Sequence, residues 1–248
     1  MLPIELASHI MGLGTIINVL AIIVAGFLGL IVRGGLKERY QESLLQAIAA
    51  CVMFVGIAGA LSKMFVIKEY TISVQGTLMM IITFAVGTII GEVINIEGLL
   101  ERFGNWLRRK TNSQGDNQFL EGFLTASLTV CIGAMAVVGA IQDALVYDVS
   151  ILTAKACLDF VIILIMTASM GKGCIFSAVS VGVFQGAITL LASLLEPIMT
   201  EQVLNNITLT GSIMIFLVGV NLLFNMKIRI ANMLPTLIIA ALWALYVH

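Results

Sequence analysis

The sequence predicts an all-α fold: a polytopic transmembrane helix bundle of about eight spans with one interfacial amphipathic helix. Three observations predict it. Of 248 residues, 60% are hydrophobic and 11% charged, with a mean hydropathy of +1.08, which leaves too little polar surface to solvate a globular domain. The apolar residues gather in runs of about 20, the length that crosses a ~30 Å hydrocarbon core at about 1.5 Å per residue. These runs are apolar throughout instead of alternating with polar residues, which excludes a transmembrane β-barrel.

The spans fall at about 10–32, 43–62, 75–95, 120–144, 150–170, 173–195, 207–226 and 232–247. The stretch ahead of the first, "MLPIELASHIMG", carries Glu5 and His9 but no Lys or Arg, so a retained helix is expected, not a cleaved signal peptide. Each span offers a stripe of small or polar residues at helical spacing. The first has Gly14, Asn18, Ala21, Ala25 and Gly29; the second has Gln46, Ala49, Met53, Gly56 and Ala60; the third has Thr83, Gly87 and Gly91. Between the third and fourth, residues 96–110 place Ile96, Leu99, Leu100, Phe103, Trp106 and Leu107 on one face. Glu97, Glu101, Arg102, Arg108 and Arg109 lie mostly elsewhere, as in an interfacial helix with a Trp anchor. The polar run that follows, 111–118, is the candidate boundary between two halves of the bundle. Span four carries Thr129, Gly133, Ala136, Ala140 and Asp143, and span six Ala178, Gly182, Gln185, Thr189 and Ala192. Span seven ends near Asn221, and Pro235 sits in the first turn of span eight, where it is tolerated. Spacings such as Gly87/Gly91 and Gly182/Gly186 are the small-residue contacts by which helices pack in lipid, and they permit a homodimer without requiring one.

Charge supports this division of the chain. Arg33, Lys37 and Arg39 follow span one, and Arg102, Arg108, Arg109 and Lys110 follow span three. Lys172 follows span five, and Lys227 and Arg229 follow span seven, so these basic residues share one side. The alternate loops hold only Lys63 and Lys68 as bases, together with Asp148, Glu196 and Glu201. The positive-inside rule then places both termini outside the cytoplasm. Segments 42–61 and 121–145, and 76–87 and 211–221, resemble each other as an internal duplication would leave them, although apolar helices also resemble each other by composition.

Several function classes drop out. A net charge of −1 leaves no nucleic-acid footprint. Cys51, Cys131, Cys157 and Cys174 lie within or at the edges of apolar runs without metal-ligand spacing, so buried inert thiols are expected, with no metal and no cofactor. His9 and His248 stand at opposite ends of the chain and no catalytic motif can be assembled, so no enzymatic activity is expected.

The strongest signal for chemistry is charge inside an apolar run. "ILTAKACLDFVIILIM" (151–166) holds Lys155 and Asp159, and each ionisable group near a helix centre costs about 2.5–3.5 kcal/mol on insertion. Lys155, about 8 Å below the outer end of the span, could snorkel; Asp159, about 6 Å deeper, is too short. Spaced i,i+4, the two share a face and can form a locking ion pair. The functional alternative is a polar patch in which Asp159 alternates between Lys155 and a cargo ion, proton or small solute. Gln142 and Asp143 end span four, and with Asp148 they converge with the pair on one outer vestibule. Asn18, Gln185 and Asn221 add amides to the candidate pathway.

The chain resembles a bacterial family of multi-pass membrane proteins, the YqgA/YdfK-like family, over nearly its whole length. The likeness is carried by "GTIINVLAIIVAGFLG" (14–29), "GAMAVVGAIQDAL" (133–145), "SILTAKACLDF" (150–160), "FSAVSVGVFQGAITLLA" (176–192) and "GVNLLFNMKIRIANMLPTLIIA" (219–240). Ala144 stands where the family pattern commonly has glycine after the aspartate. The resemblance implies a bacterial inner-membrane protein of transporter type without an established substrate. At positions matching the family it carries over Asn18, Gln142, Asp143, Lys155, Asp159, Gln185 and Asn221.

The reading is therefore a membrane transporter or channel for an ion or small solute, with the lipid bilayer as its surroundings and its polar site built around spans four to six. The alternative is a non-transporting membrane scaffold or regulator acting through partner contacts, for which the polar face of residues 96–110 would serve.

Overall fold

The computed structural model describes residues 10–35, 37–68, 71–113, 118–132 and 134–246. The expectations placed on Glu5, His9, Gly133, Val247, His248 and the loop at 114–117 lie outside the described residues. In chain order the elements are α1 (Leu13–Gly35), α2 (Glu38–Met64), β1 (Phe65–Lys68), β2 (Thr71–Val74), α3 (Thr77–Ile94) and α4 (Ile96–Lys110). They continue with α5 (Phe119–Cys131), α6 (Ala134–Val146), α7 (Ser150–Met170), α8 (Ser177–Leu190), the single turn α9 (Ala192–Leu195), α10 (Glu201–Phe224) and α11 (Pro235–Tyr246). Three short 3₁₀ segments (Lys172–Phe176, Glu196–Ile198 and Ile230–Met233) precede α8, α10 and α11.

Six helices among the described residues are long and apolar enough to cross a membrane, and the bent pair α5–α6 makes a seventh if it counts as one span. The structure departs from the expected spans in several places. Residues 120–144 form two helices inclined at 62° instead of one. The last span is a 12-residue helix behind a 3₁₀ turn, shorter than the expected 232–247. The segment between α2 and α3, expected as a plain loop, is an antiparallel hairpin with Phe65 opposite Val74 and Lys68 opposite Thr71. Its β-branched and aromatic residues favour extended backbone over helix.

The chain divides into two compact units. The first gathers the described residues of Met1–Ile48, Gly104–Cys131 and Met135–Pro197; the second gathers Ala49–Phe103, Ile132–Ala134 and Ile198–His248. The polar run at 111–118 is therefore not a boundary between halves. The described residues on both sides of 114–117 belong to the first unit, where Leu107 of α4 packs on Phe119 and Phe123 of α5. Leu99, Phe103 and Trp106 on the apolar face of α4 remain exposed, as an interfacial helix requires.

In the first unit the stripe of α1 packs directly on α7. A Cβ added at Gly14 would stand 2.8 Å from Leu152, and one at Gly29 would stand 2.6 Å from the Leu164 carbonyl, so the two helices run parallel with their backbones close. The buried α1 face comprises Gly14, Thr15, Asn18, Ile22, Ala25, Gly26 and Gly29, with Ile22 in the place expected for Ala21. Helix α8 runs antiparallel to α1: Gly12 lies by Thr189 and Gly182 by Val19. The α5–α6 pair spans the same thickness as α1. Gln118 receives Arg33 Nη2 at 3.0 Å at one end, and Asp143 receives the Gly14 amide at 2.9 Å at the other. Those two levels are about 29 Å apart along α1 by helical rise.

In the second unit α3 and α11 run antiparallel at very close approach. A Cβ at Gly87 would meet Thr236, and one at Gly91 would meet the Asn232 carbonyl. Met79, Leu209, Ala60 and Ala240 form the core near the start of α3. At its other end Asn95 takes the left-handed conformation (φ 56°) that turns α3 into α4, with its amide donating to the Gly91 carbonyl at 2.8 Å. Arg229 ties that junction, donating to Glu92 and Asn95 at 2.7 Å each, and Asn232 Oδ1 accepts the Glu97 amide at 2.8 Å.

Candidate functional site

The fifth expected span is a helix over the expected residues, and its two charges face the interior. Lys155 is 6% and Asp159 4% exposed, and they form an i,i+4 ion pair. Lys155 does not snorkel. Its Nζ also donates to the Val130 carbonyl at 2.7 Å. That carbonyl belongs to the last turn of α5, where the break before α6 leaves the final carbonyls without helical donors. The ammonium therefore caps α5 at the end where a cation is favoured. Asp159 Oδ2 also accepts from Asn18 Nδ2 at 3.0 Å, which joins α1 to the pair.

Asp143 acts as the counterpart at the other polarity. Fully buried in α6, it accepts the Gly14 amide through Oδ2, and the amides of Gly12 and Thr15 also point toward the carboxylate. These are the unsatisfied donors of the first turn of α1, so an anion from a distant segment fills the role an N-cap side chain would have filled. Ala144 lies within α6, so the backbone there is helical and makes no tight turn.

Around these groups lies a set of polar atoms with no hydrogen-bond partner among the described residues. They are Thr15 Oγ1, Asn18 Oδ1, Asp143 Oδ1, Thr189 Oγ1 and both amide atoms of Gln185. Gln185 is 1% exposed. From the α1–α8 register, Gln185 lies one turn from Thr189 and opposite residues 15–16 of α1, about one turn from Asn18. Thr15, Asn18, Asp143, Gln185 and Thr189 thus occupy adjacent levels of one unit, beside the ion pair. Ser127 and Ser180 join α5 to α8 at 2.9 Å.

The remaining candidates lie elsewhere. Gln142 is half-buried on α6. Asp148 is exposed and caps α7, accepting the Ser150 amide at 2.9 Å as well as the Ser150 hydroxyl; these bonds hold its carboxyl below the ordinary range. The expected outer vestibule is therefore split, with Asp148 at the surface and Asp143, Lys155 and Asp159 inside. Asn221 belongs to the second unit, where its side-chain amide donates to the Ile228 carbonyl at 2.9 Å and accepts the Ile228 amide at 3.1 Å, closing the 225–229 turn. Sequence reasoning missed two participants. The Val130 carbonyl leaves no trace in a sequence, whereas Thr15 stood three residues before Asn18, on the same face.

The fold and this interior define an α-helical membrane protein with a charged, incompletely hydrogen-bonded core. The chain belongs to the family described as protein of unknown function DUF554, whose model matches residues 13–245. It is 29% identical over 235 residues to "Uncharacterized membrane protein YdfK" of Bacillus subtilis (strain 168), covering 95% of this chain and 96% of that one. It is 23% identical over 234 residues to "Uncharacterized protein YqgA" of Escherichia coli (strain K12), covering 93% and 95% respectively. No solved structure matches.

Proposed function

We propose that the protein is an inner-membrane transporter or channel for an ion or small solute, with its pathway passing Asn18, Asp143, Lys155, Asp159 and Gln185. The observation that supports this most is the set of unsatisfied buried polar atoms at Thr15, Asn18, Asp143, Gln185 and Thr189. Each costs about 1–3 kcal/mol if left without a partner, so a bundle built for packing alone would have apolar residues there. A passing cation, proton-bearing water or polar solute supplies the missing partners. The closed Lys155–Asp159 pair is then the resting arrangement, and Asp159 exchanges Lys155 for cargo. The broken α5–α6 span beside the pair supports the same reading, since interrupted helices in a membrane are tolerated where they line protein or water and recur at transporter sites.

The topology that goes with this function has eight crossings and both termini outside the cytoplasm, counting α5–α6 as one span and the 230–246 segment as the last. Reporter fusions at 111–113 and 147–149 test it: the first site reads cytoplasmic and the second external, and the reverse pattern or a shared side rejects it. We propose no catalytic activity.

Function is tested in proteoliposomes by screening proton, sodium and amino-acid fluxes with wild type, Asp159→Asn and Gln185→Leu. Gln185→Leu removes two unsatisfied atoms at similar volume, so it lowers flux while leaving stability unchanged or higher. Wild-type fluxes equal to those of empty vesicles would sink transport of these cargoes.

A further inference from the structure

A second polar space lies in the second unit, at the end of α3 away from Arg229. It is a cavity of about 600 Å³ bordered by the starts of α3 and α10, within the roughly 300–1,000 Å³ range of small-molecule sites. Its interior wall is apolar, formed by buried Met79 and Leu209 and by the half-buried Trp243. Two of its amides are committed to the protein: Gln75 donates to the Lys63 carbonyl at 3.2 Å and Asn206 to the Ala240 carbonyl at 3.1 Å. Lys63 and Glu201 both line the space yet do not pair, since the ion pairs among the described residues are Lys155–Asp159 and Arg229–Glu92. Gly76 and Leu78, also on the wall, mark the N-terminus of the 18-residue α3, where unsatisfied amides and the helix dipole favour an anion.

An unpaired cation, an unpaired anion and a helix N-terminus around one apolar-backed cavity match a ligand carrying both charges. We propose that this cavity binds a small zwitterion, with its anionic group toward Lys63 and the start of α3, its ammonium toward Glu201, and a short apolar body against Trp243 and Leu209. A free amino acid and an ethanolamine phospholipid headgroup share this chemistry. The site is independent of the buried ion pair in the first unit.

Trp243 reports on the site. The chain has two tryptophans, so Trp106→Phe leaves Trp243 as the single fluorophore. The full-length protein is placed in nanodiscs of phosphatidylglycerol alone and titrated with leucine, alanine, glutamate and lysine; a parallel set contains phosphatidylethanolamine. A saturable Trp243 change with an apolar amino acid supports the proposal with a free solute as ligand. A change confined to the ethanolamine discs supports it with the lipid headgroup. Lys63→Gln and Glu201→Gln each weaken the response about tenfold or more, as loss of a charge-assisted hydrogen bond does. No response in either set, or one untouched by both substitutions, overturns the proposal.

Discussion

Asp159→Asn isolates the charge at the centre of the first unit with almost no change in volume. In the wild-type structure Asp159 accepts from both Lys155 and Asn18, and all three side chains are buried. Asparagine can still accept from Asn18 through its own carbonyl. What it cannot do is neutralise Lys155, whose Nζ would keep only uncharged acceptors, the Val130 carbonyl among them, in a site 6% exposed. Breaking a buried pair in this way costs about 3–5 kcal/mol, most of it from the uncompensated charge left behind. At about 2–4 °C per kcal/mol for a chain of this size, the melting temperature falls by roughly 6–20 °C. The assay is thermal unfolding in mild detergent, followed by far-UV circular dichroism. Replacing both partners, Lys155→Met with Asp159→Leu, removes the stranded charge and returns stability to within about 2 kcal/mol of wild type or above it. A shift below about 2 °C for Asp159→Asn would refute the argument, since it would mean that water reaches the ammonium freely and the pair is not desolvated.

The other predictions concern packing, capping and pH. Gly91→Ala drives a methyl into the Asn232 carbonyl and lowers stability by about 1–3 kcal/mol or more. Gly186→Ala meets nothing within 4 Å and is neutral or stabilising by about 0.4–1 kcal/mol, so the two glycines, alike in their sequence spacing, separate in a melting experiment. Asp143→Ala removes the anion capping α1 and costs about 1–3 kcal/mol, with loss of hydrogen-exchange protection concentrated at residues 14–16. Burial raises the Glu97 carboxyl above its ordinary range, against the opposing pull of Arg229 and the Ala231 backbone. The folded state therefore holds that proton more tightly than the unfolded state, and stability falls as pH rises from the ordinary carboxylate range through the raised value. Glu97→Gln flattens that part of the pH–melting curve; an unchanged curve would remove Glu97 as its source.

The helical membrane class, the amphipathic α4 and the need to bury Asp159 were legible in the sequence, whereas Lys155 was left free to snorkel. They follow from one-dimensional quantities: run length, helical periodicity and the cost of a charge in lipid. The α1 stripe was legible for the same reason, being a property of one helix. The sequence did not distinguish Gly91, pressed against the Asn232 carbonyl, from Gly186, which faces open space, because the spacing within a helix says nothing about which neighbour arrives. It could not show that Asp143 caps a helix beginning 129 residues earlier or that Lys155 caps the end of α5. The partition of the chain into two units was likewise decided by tertiary contact, and the apolar run over 120–144 gave no sign of the break in α5–α6. Local patterns determine which faces must be buried and which charges need partners; only the packed chain determines which backbone ends and side chains meet them, because those partners come from segments distant in sequence.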